Sequence, residues 1–422
     1  MAANLDQETL FSVIKVLYDC RNPETIQQAY QQIIELNKQI DFNFYLVCIA
    51  QKNLPAKLPE MLQPMVDVIT RMNAFILVKN NCKTEYSRMS DSLKSHVKNV
   101  SMELIADENR QIRHTSGILM TSILSLCNRG FMDWPELLPK IIELLTAGKD
   151  MSSVPEHMIE GIFFALDKIC EDCSDAVELD LSTADQNING WQTITNPQQP
   201  RSHTRSFSQR NSSFNYSEAT STAQTYANIE DCPLYKLMPH FIAYFEYPNT
   251  EIQALAVACC NHFIVSRTQV LSKEYFLDAF INGLFKLALG DNNESGYQKI
   301  QGQVCKALVL LLEVQEEALE QHMEGIVDYM LHQTKHGSGD VALEACEFWL
   351  TLAEQSETSK EVLKQNKRLG ELVPILIKRM KYEPGDPVLI KAEQEENNAG
   401  EEDEETDIKP RHCKAKRSLQ VS

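Results

Sequence analysis

The chain has 422 residues, is 43% hydrophobic and carries a formal net charge of −19. That length allows about three ordinary domains, and an acidic balance argues against direct nucleic-acid binding, which needs a basic face. No apolar run reaches the roughly 18 residues needed to cross a bilayer, and Met1 to Gln7 lacks the basic and then apolar pattern of a signal peptide. The 12 cysteines are spread along the chain, several on apolar stripes (Cys48, Cys259, Cys305, Cys346). That usage reads as reduced thiols in an intracellular compartment rather than a disulfide framework.

In chain order, residues 5–20 and 24–37 read as a first helical hairpin turned at Asn22-Pro23, with Ile26, Ala29, Tyr30 and Ile33 on the buried stripe of its second helix. A second hairpin opens at Asp41–Leu46 and loses regularity through Pro55, Pro59 and Pro64, so 53–64 is expected to be an extended loop before a helix over Val68–Lys83. In Ile105–Ser125 a helix end runs into the turn Asp107–Arg110, and a second helix from Ile112 carries Ile112, Leu119, Met120 and Ile123 on one face. An Asp at the turn, a branched residue five positions on and an Arg beside it (Asp107, Ile112, Arg113) form the pattern of a HEAT repeat. In that pattern Asp and Arg of adjacent units pair along the stack.

The branched residue recurs at Ile26, Ile69, Ile112, Ile159, Ile252, Ile300 and Val341, at spacings of 43, 43, 47, 93, 48 and 41 residues. The outlier falls to 44 when the 49 residues Ser182–Glu230 are set aside, and the period is then that of HEAT or armadillo-like helical arrays. First helices repeat as well: Leu137-Leu-Pro139, Leu237-Met-Pro239 and Leu372-Val-Pro374 each precede an apolar run.

Ser182–Glu230 is rich in Ser, Thr, Asn and Gln, too polar to offset its ordering entropy, and is expected to be a disordered insertion. Its Arg201, Arg205, Arg210 and serines admit a kinase site; a tolerated insertion or a mis-spliced gene is the plainer account. After Tyr382 the chain leaves the helical pattern at Pro384-Gly-Asp-Pro387. Between Glu383 and Asp407 stand eleven acids against one base, Lys391, a net of −10. A basic protein surface is the natural complement of such a run. Strand signals are sparse. The expected fold is therefore all-α, a right-handed α-solenoid (superhelix) of about seven and a half HEAT repeats. Repeats one to four occupy 1–181, the disordered insertion 182–230, repeats five to seven with the first helix of the eighth 231–382, and a disordered acidic segment 383–422.

Catalytic signatures are absent: no G-x-x-x-x-G-K-[ST], no H-E-x-x-H and no G-x-S-x-G. Cys170-Glu-Asp-Cys173 is a C-x-x-C without a second pair at zinc spacing, and reads as structural rather than as metal or redox chemistry. His240, His262 and His322 stand singly on predicted helices. The chain is expected not to be an enzyme and to need no cofactor or metal.

Several stretches carry a family resemblance. "RNPETIQQAYQQIIELN" (21–37), "DFNFYL" (41–46), "ILVKNN" (76–81), "WPELLPKIIELL" (134–145), "ALDKICED" (165–172), "AVACCNHFIVSRTQ" (256–269), "CKALVLLLEV" (305–314) and "VALEACEFWLTLAEQ" (341–355) resemble, in the same order, segments of the β-karyopherins. These are importin-β-like nuclear import receptors, and the likeness is to their karyopherin β2 branch and its amino-terminal part. The resemblance implies binding of the small GTPase Ran in its GTP form, cargo proteins bearing nuclear localisation signals, nucleoporins as partners, and shuttling between cytoplasm and nucleus. It places Ran's switch regions against the second helices of the first repeats, here around Lys79, Asn80 and Asn81 and around Arg113. Ran's basic side would lie against repeats seven and eight, around Asp340, Glu344 and Glu347. "DIKPRHCKAKR" (407–417) resembles part of the family's acidic loop, which implies that Glu401, Glu402, Asp403, Glu404 and Glu405 face a basic patch on Ran and couple its binding to cargo release. The chain stops there, so a truncated receptor without the cargo-binding arch is expected, from a short isoform or an incomplete gene. For Arg113 and Asp107 an internal ladder of the solenoid is the competing role. The alternative for the whole chain is a HEAT-repeat scaffold without a GTPase partner.

Overall fold

The computed structural model describes residues 6–52, 54, 59–149, 153–178, 231–265, 274–290, 296–354, 363 and 368–381. Among them every regular element is helical and no strand occurs. Helices α1 (Gln7–Asp19) and α2 (Ile26–Asn37) form a first pair, followed by α3 (Phe42–Ala50) with α4 (Val68–Glu85), α5 (Asp91–Leu104) with α6 (Arg110–Ser125), and α7 (Leu137–Gly148) with α8 (Glu156–Asp172). After the short α9 (Ser174–Val177) come α10 (Pro233–Ala243) and α11 (Thr250–Ile264), then α12 (Glu274–Ala288) and α13 (Tyr297–Val314). The one-turn α14 (Glu316–Leu319) precedes α15 (Met323–His336) and α16 (Gly339–Glu354), and α17 (Arg368–Met380) follows.

All seven second helices expected from the repeat are present, and their starts have a local cause. The Asn109 side chain accepts hydrogen bonds from the backbone N–H groups of Gln111 and Ile112, and Asn249 does the same for Glu251 and Ile252. Asp67 caps α4 through the N–H of Thr70. Each such cap satisfies donors that the first turn cannot pair internally and contributes about 1 kcal/mol. Pro139 falls in the first turn of α7, where its missing N–H costs nothing, whereas Pro239 and Pro374 lie further inside α10 and α17.

The described residues divide into two compact units, one reaching Gly283 and one starting at Leu284. In the first, the second helices stack on one another, α4 on α6, α6 on α8 and α8 on α11, while α3, α5, α7 and α10 each pack on their own partner. The core between them contains the fully buried Ile112, Ile159, Ile252, Trp134, Phe163, Phe241 and Tyr244. In the second unit α13 and α15 both pack on α16 around Ile300, Val341, Phe348 and Leu352. A helix pair of this kind buries its apolar face only against its neighbours, which is why the pattern repeats rather than closing into a single globule.

Three sequence expectations are corrected. Ile26 is 42% and Tyr30 61% exposed, and of α2 only Ala29 and Ile33 are fully buried. Ile69 is 46% exposed, and its neighbour Thr70 occupies the buried position that Ile112 holds in α6. The register of α4 is thus one residue later than the apolar pattern suggests, since Asp67 is drawn forward as the cap and Arg71 takes the place of Arg113. From Pro59 the predicted loop turns into a short 3-10 segment over Gln63–Met65; residues 53 and 55–58 lie outside the described residues. The insertion 182–230 and the acidic segment 383–422, with Glu401, Glu402, Asp403, Glu404 and Glu405, also lie outside them. No helix among the described residues is long and apolar enough to cross a membrane.

Candidate functional site

A row of polar side chains runs along the stacked second helices of the first unit. Arg21 pairs with Asp67 at 2.5 Å. Arg71 pairs with Asp107 and donates to the carbonyl of Ala50 at 2.9 Å. Arg113 donates to Glu160 Oε2 from Nε (3.0 Å) and Nη2 (2.7 Å), and from Nη1 to the carbonyls of Asp107 and Glu108. The other Glu160 oxygen lies 2.6 Å from His114 Nε2 and 3.4 Å from Arg110 Nε, and Arg110 also pairs with Glu251. One repeat further on, His262 Nε2 meets Asp167 Oδ1 at 2.9 Å. Each of these junctions in the first unit thus has its own ionic or polar rung, and Arg110 spans two of them.

Burial makes some rungs structural. The side chains of Arg113 and Glu160 are only 7% and 9% exposed, and a buried pair of this kind is stable only with its hydrogen bonds complete. Burial by itself would raise the Glu160 carboxyl, but hydrogen bonds from His114 and Arg113 and their charges outweigh it and hold its pKa at about 2. Asp167 is likewise pushed up by burial and brought below the usual carboxylate range by His262 and Lys168. The His114 ring stacks on Phe164 with centroids 3.7 Å apart, which fixes its plane beside Glu160.

The residues singled out in the sequence take different positions. Arg113 is fully engaged in the ladder. Asn81 is half-buried and tied to Asn37 (2.8 and 3.0 Å) and Asn43 (2.9 Å), a three-asparagine link from α4 back to α2 and α3. Asn80 is exposed. Lys79 is half-buried with no carboxylate partner among the described residues; burial, and then the charge of Lys83, lower its pKa. Asp340, Glu344 and Glu347 fall on one face of α16 at spacings of four and three, the first exposed and the others half-buried. Sequence reasoning missed the exposed stripe Ile26, Tyr30 and Ile34 on α2; its spacing of four was visible, but it reads equally as a buried face.

The C-x-x-C pair lies inside the first unit. Cys170 and Cys173 are both buried, and burial together with nearby Asp172 raises the Cys173 thiol to about 12. At neutral pH it stays protonated, a form that neither attacks nor ligates.

No family model matches the chain. It is 34% identical over 408 residues to transportin-1 of Mus musculus, an alignment covering 96% of this chain and 37% of that protein. Among solved structures it superimposes on Kap95p, the yeast importin-β, in a complex with Nup1 (TM-score 0.56, 11% identity, 91% of this chain and 40% of that one). It also superimposes on Kap95p in a structure concerned with the switch loops of RanGDP (TM-score 0.55, 12% identity, 91% of this chain and 39% of that one). The resemblance to transportins read from short segments therefore extends along nearly the whole chain, and the fold is the HEAT-repeat solenoid of the importins. The chain spans little more than a third of the length of the relatives it matches.

Proposed function

We propose that this chain, similar along 96% of its length to a transportin, acts in nuclear import as a binding protein for Ran in its GTP form. That alignment is the observation that carries the reading, and the stacked second helices supply the surface. On α4, Lys79 is a partly desolvated cation with no carboxylate partner among the described residues, and Asn80 beside it is exposed; both are suited to an acidic or hydrogen-bonding partner. On α16, Asp340, Glu344 and Glu347 offer the opposite charge to a basic one. Arg113 supports that surface from within the ladder, and Asn81 holds α4 against its neighbours. The acidic residues Glu401, Glu402, Asp403, Glu404 and Glu405 would add a second contact to Ran. Nucleoporins and, in a longer form, signal-bearing cargo are the further partners, and the protein moves between cytoplasm and nucleus. No chemical step is involved: Ran and cargo act through opposing preferences for one solenoid, and such coupling is reciprocal.

The test is the affinity of the purified chain for Ran loaded with GTP and with GDP. A strong preference for the GTP form is expected. Lys79→Ala should weaken binding roughly tenfold, the loss typical of one well-placed charged contact, with an unchanged melting temperature. If the folded chain showed no preference between the two nucleotide states, the scaffold reading would replace this one.

A further inference from the structure

His332 and His336 stand on the exposed side of α15, four residues apart. Side chains at that spacing lie one above the other on a helix face. Their rings face each other, with centroids 4.8 Å apart and planes inclined at 39°. We propose that these two imidazoles form a chelating site for a divalent d-block cation of the Ni2+ or Zn2+ type. Each ring would give one nitrogen at about 2.0–2.1 Å from the ion, and exposed side chains have the rotamer freedom to reach that distance.

The donor set decides the class of ion. Imidazole suits Zn, Cu and Ni, whereas Ca2+ and Mg2+ require carboxylate or carbonyl oxygens. No group of three or more His, Cys, Asp or Glu side chains is arranged to hold a metal among the described residues, so water completes the coordination and the site stays open to a further ligand. The charges nearest His336 are Lys335 on the same helix and Arg379 on α17. Both oppose a dication. Arg379, however, is committed to the helix end, donating to the carbonyls of Thr334 (2.9 Å), Lys335 (3.0 Å) and Gly337 (2.8 Å). The residual repulsion further disfavours hard ions that bind by charge alone. A bound ion would clip the last turn of α15 next to Gly337, just ahead of Asp340 at the start of α16.

The experiment is a calorimetric titration of the tag-free, fully reduced chain with Ni2+, repeated with Zn2+. The expected result is one ion bound per chain, with His332→Asn and His336→Asn each weakening it roughly a hundredfold, the advantage of two linked donors over one. His322→Asn should leave the affinity unchanged. Both target side chains are exposed, and an unchanged far-UV spectrum confirms that the variants fold. Failure of the wild-type chain to bind, or binding that survives both substitutions and so belongs to thiols elsewhere, would overturn the proposal. Neither result depends on Ran.

Discussion

Glu160 has both carboxylate oxygens occupied, Oε2 by two donors of Arg113 and Oε1 by His114 and Arg110. Replacing it by Gln removes the charge that compensates a buried guanidinium, and breaking a buried pair from one side costs about 3 kcal/mol. Glu160→Gln should therefore lower the urea midpoint clearly without altering helix content. The same carboxyl makes stability acid-sensitive. Its folded pKa of about 2 lies below the ordinary glutamate value of 4.5, so its contribution is complete above pH 4.5 and is lost as pH falls from there towards 2. In Glu160→Gln that loss should flatten. A further decline begins higher, below about pH 6.5, because burial lowers the pKa of His96 and His240 and the unfolded imidazoles take up protons that the folded ones refuse. Urea titrations at several pH values read both limbs. Of this ladder the sequence revealed Asp107 and Arg113 as residues able to pair along a stack. It did not reveal that Asp107 pairs backwards with Arg71 while Arg113 reaches forward to Glu160, because the second partner is a Glu within a helix and not an Asp at a turn.

At the scale of elements, the contact between α8 and the preceding pair depends on a glycine. A Cβ at Gly161 would collide with the carbonyl oxygen of Ile105 and crowd Arg113 Cδ at 3.2 Å. A backbone carbonyl cannot swing aside, so Gly161→Ala should cost about 1–3 kcal/mol by overpacking. Gly325 in α15 has nothing within 4 Å of the same position. There the substitution to Ala should add about 0.5–1 kcal/mol through helix propensity. Thermal melts of the two variants should move in opposite directions; a stabilised Gly161→Ala would mean that α8 does not approach α5 this closely. The existence of these helices was legible, since a branched apolar residue recurring every 41 to 48 residues, once 182–230 is set aside, marks each second helix. Their register was not always so. In α4 the cap Asp67 shifts Thr70 into the buried row and leaves Ile69 outside, and α2 buries only Ala29 and Ile33. An apolar stripe fixes a face only when a neighbour exists to cover it.

For the molecule as a whole, the repeat period and the order of the family-like segments were enough to reach the solenoid fold, because each pair needs only its neighbours. The proposed partner surface was less legible: of the side chains singled out, Arg113 is buried and Asn81 is tied to its neighbours by hydrogen bonds, and only these contacts separate them from Lys79 and Asn80. Charge, by contrast, is a property of the entire chain and can be read without coordinates. Nine acids and no base stand between Glu393 and Asp407, nearly half of the net −19. Attraction between such a run and a basic surface decays over a Debye length of about 10 Å at 0.1 M salt, so it should dominate the salt dependence of the proposed binding to Ran. Removing 393–407 should weaken binding most at low salt and flatten the plot of affinity against ionic strength, while the preference for the GTP form persists. Parallel plots for the two chains would instead assign the salt dependence to the helical surface, with Asp340, Glu344 and Glu347 as the acids to reverse next.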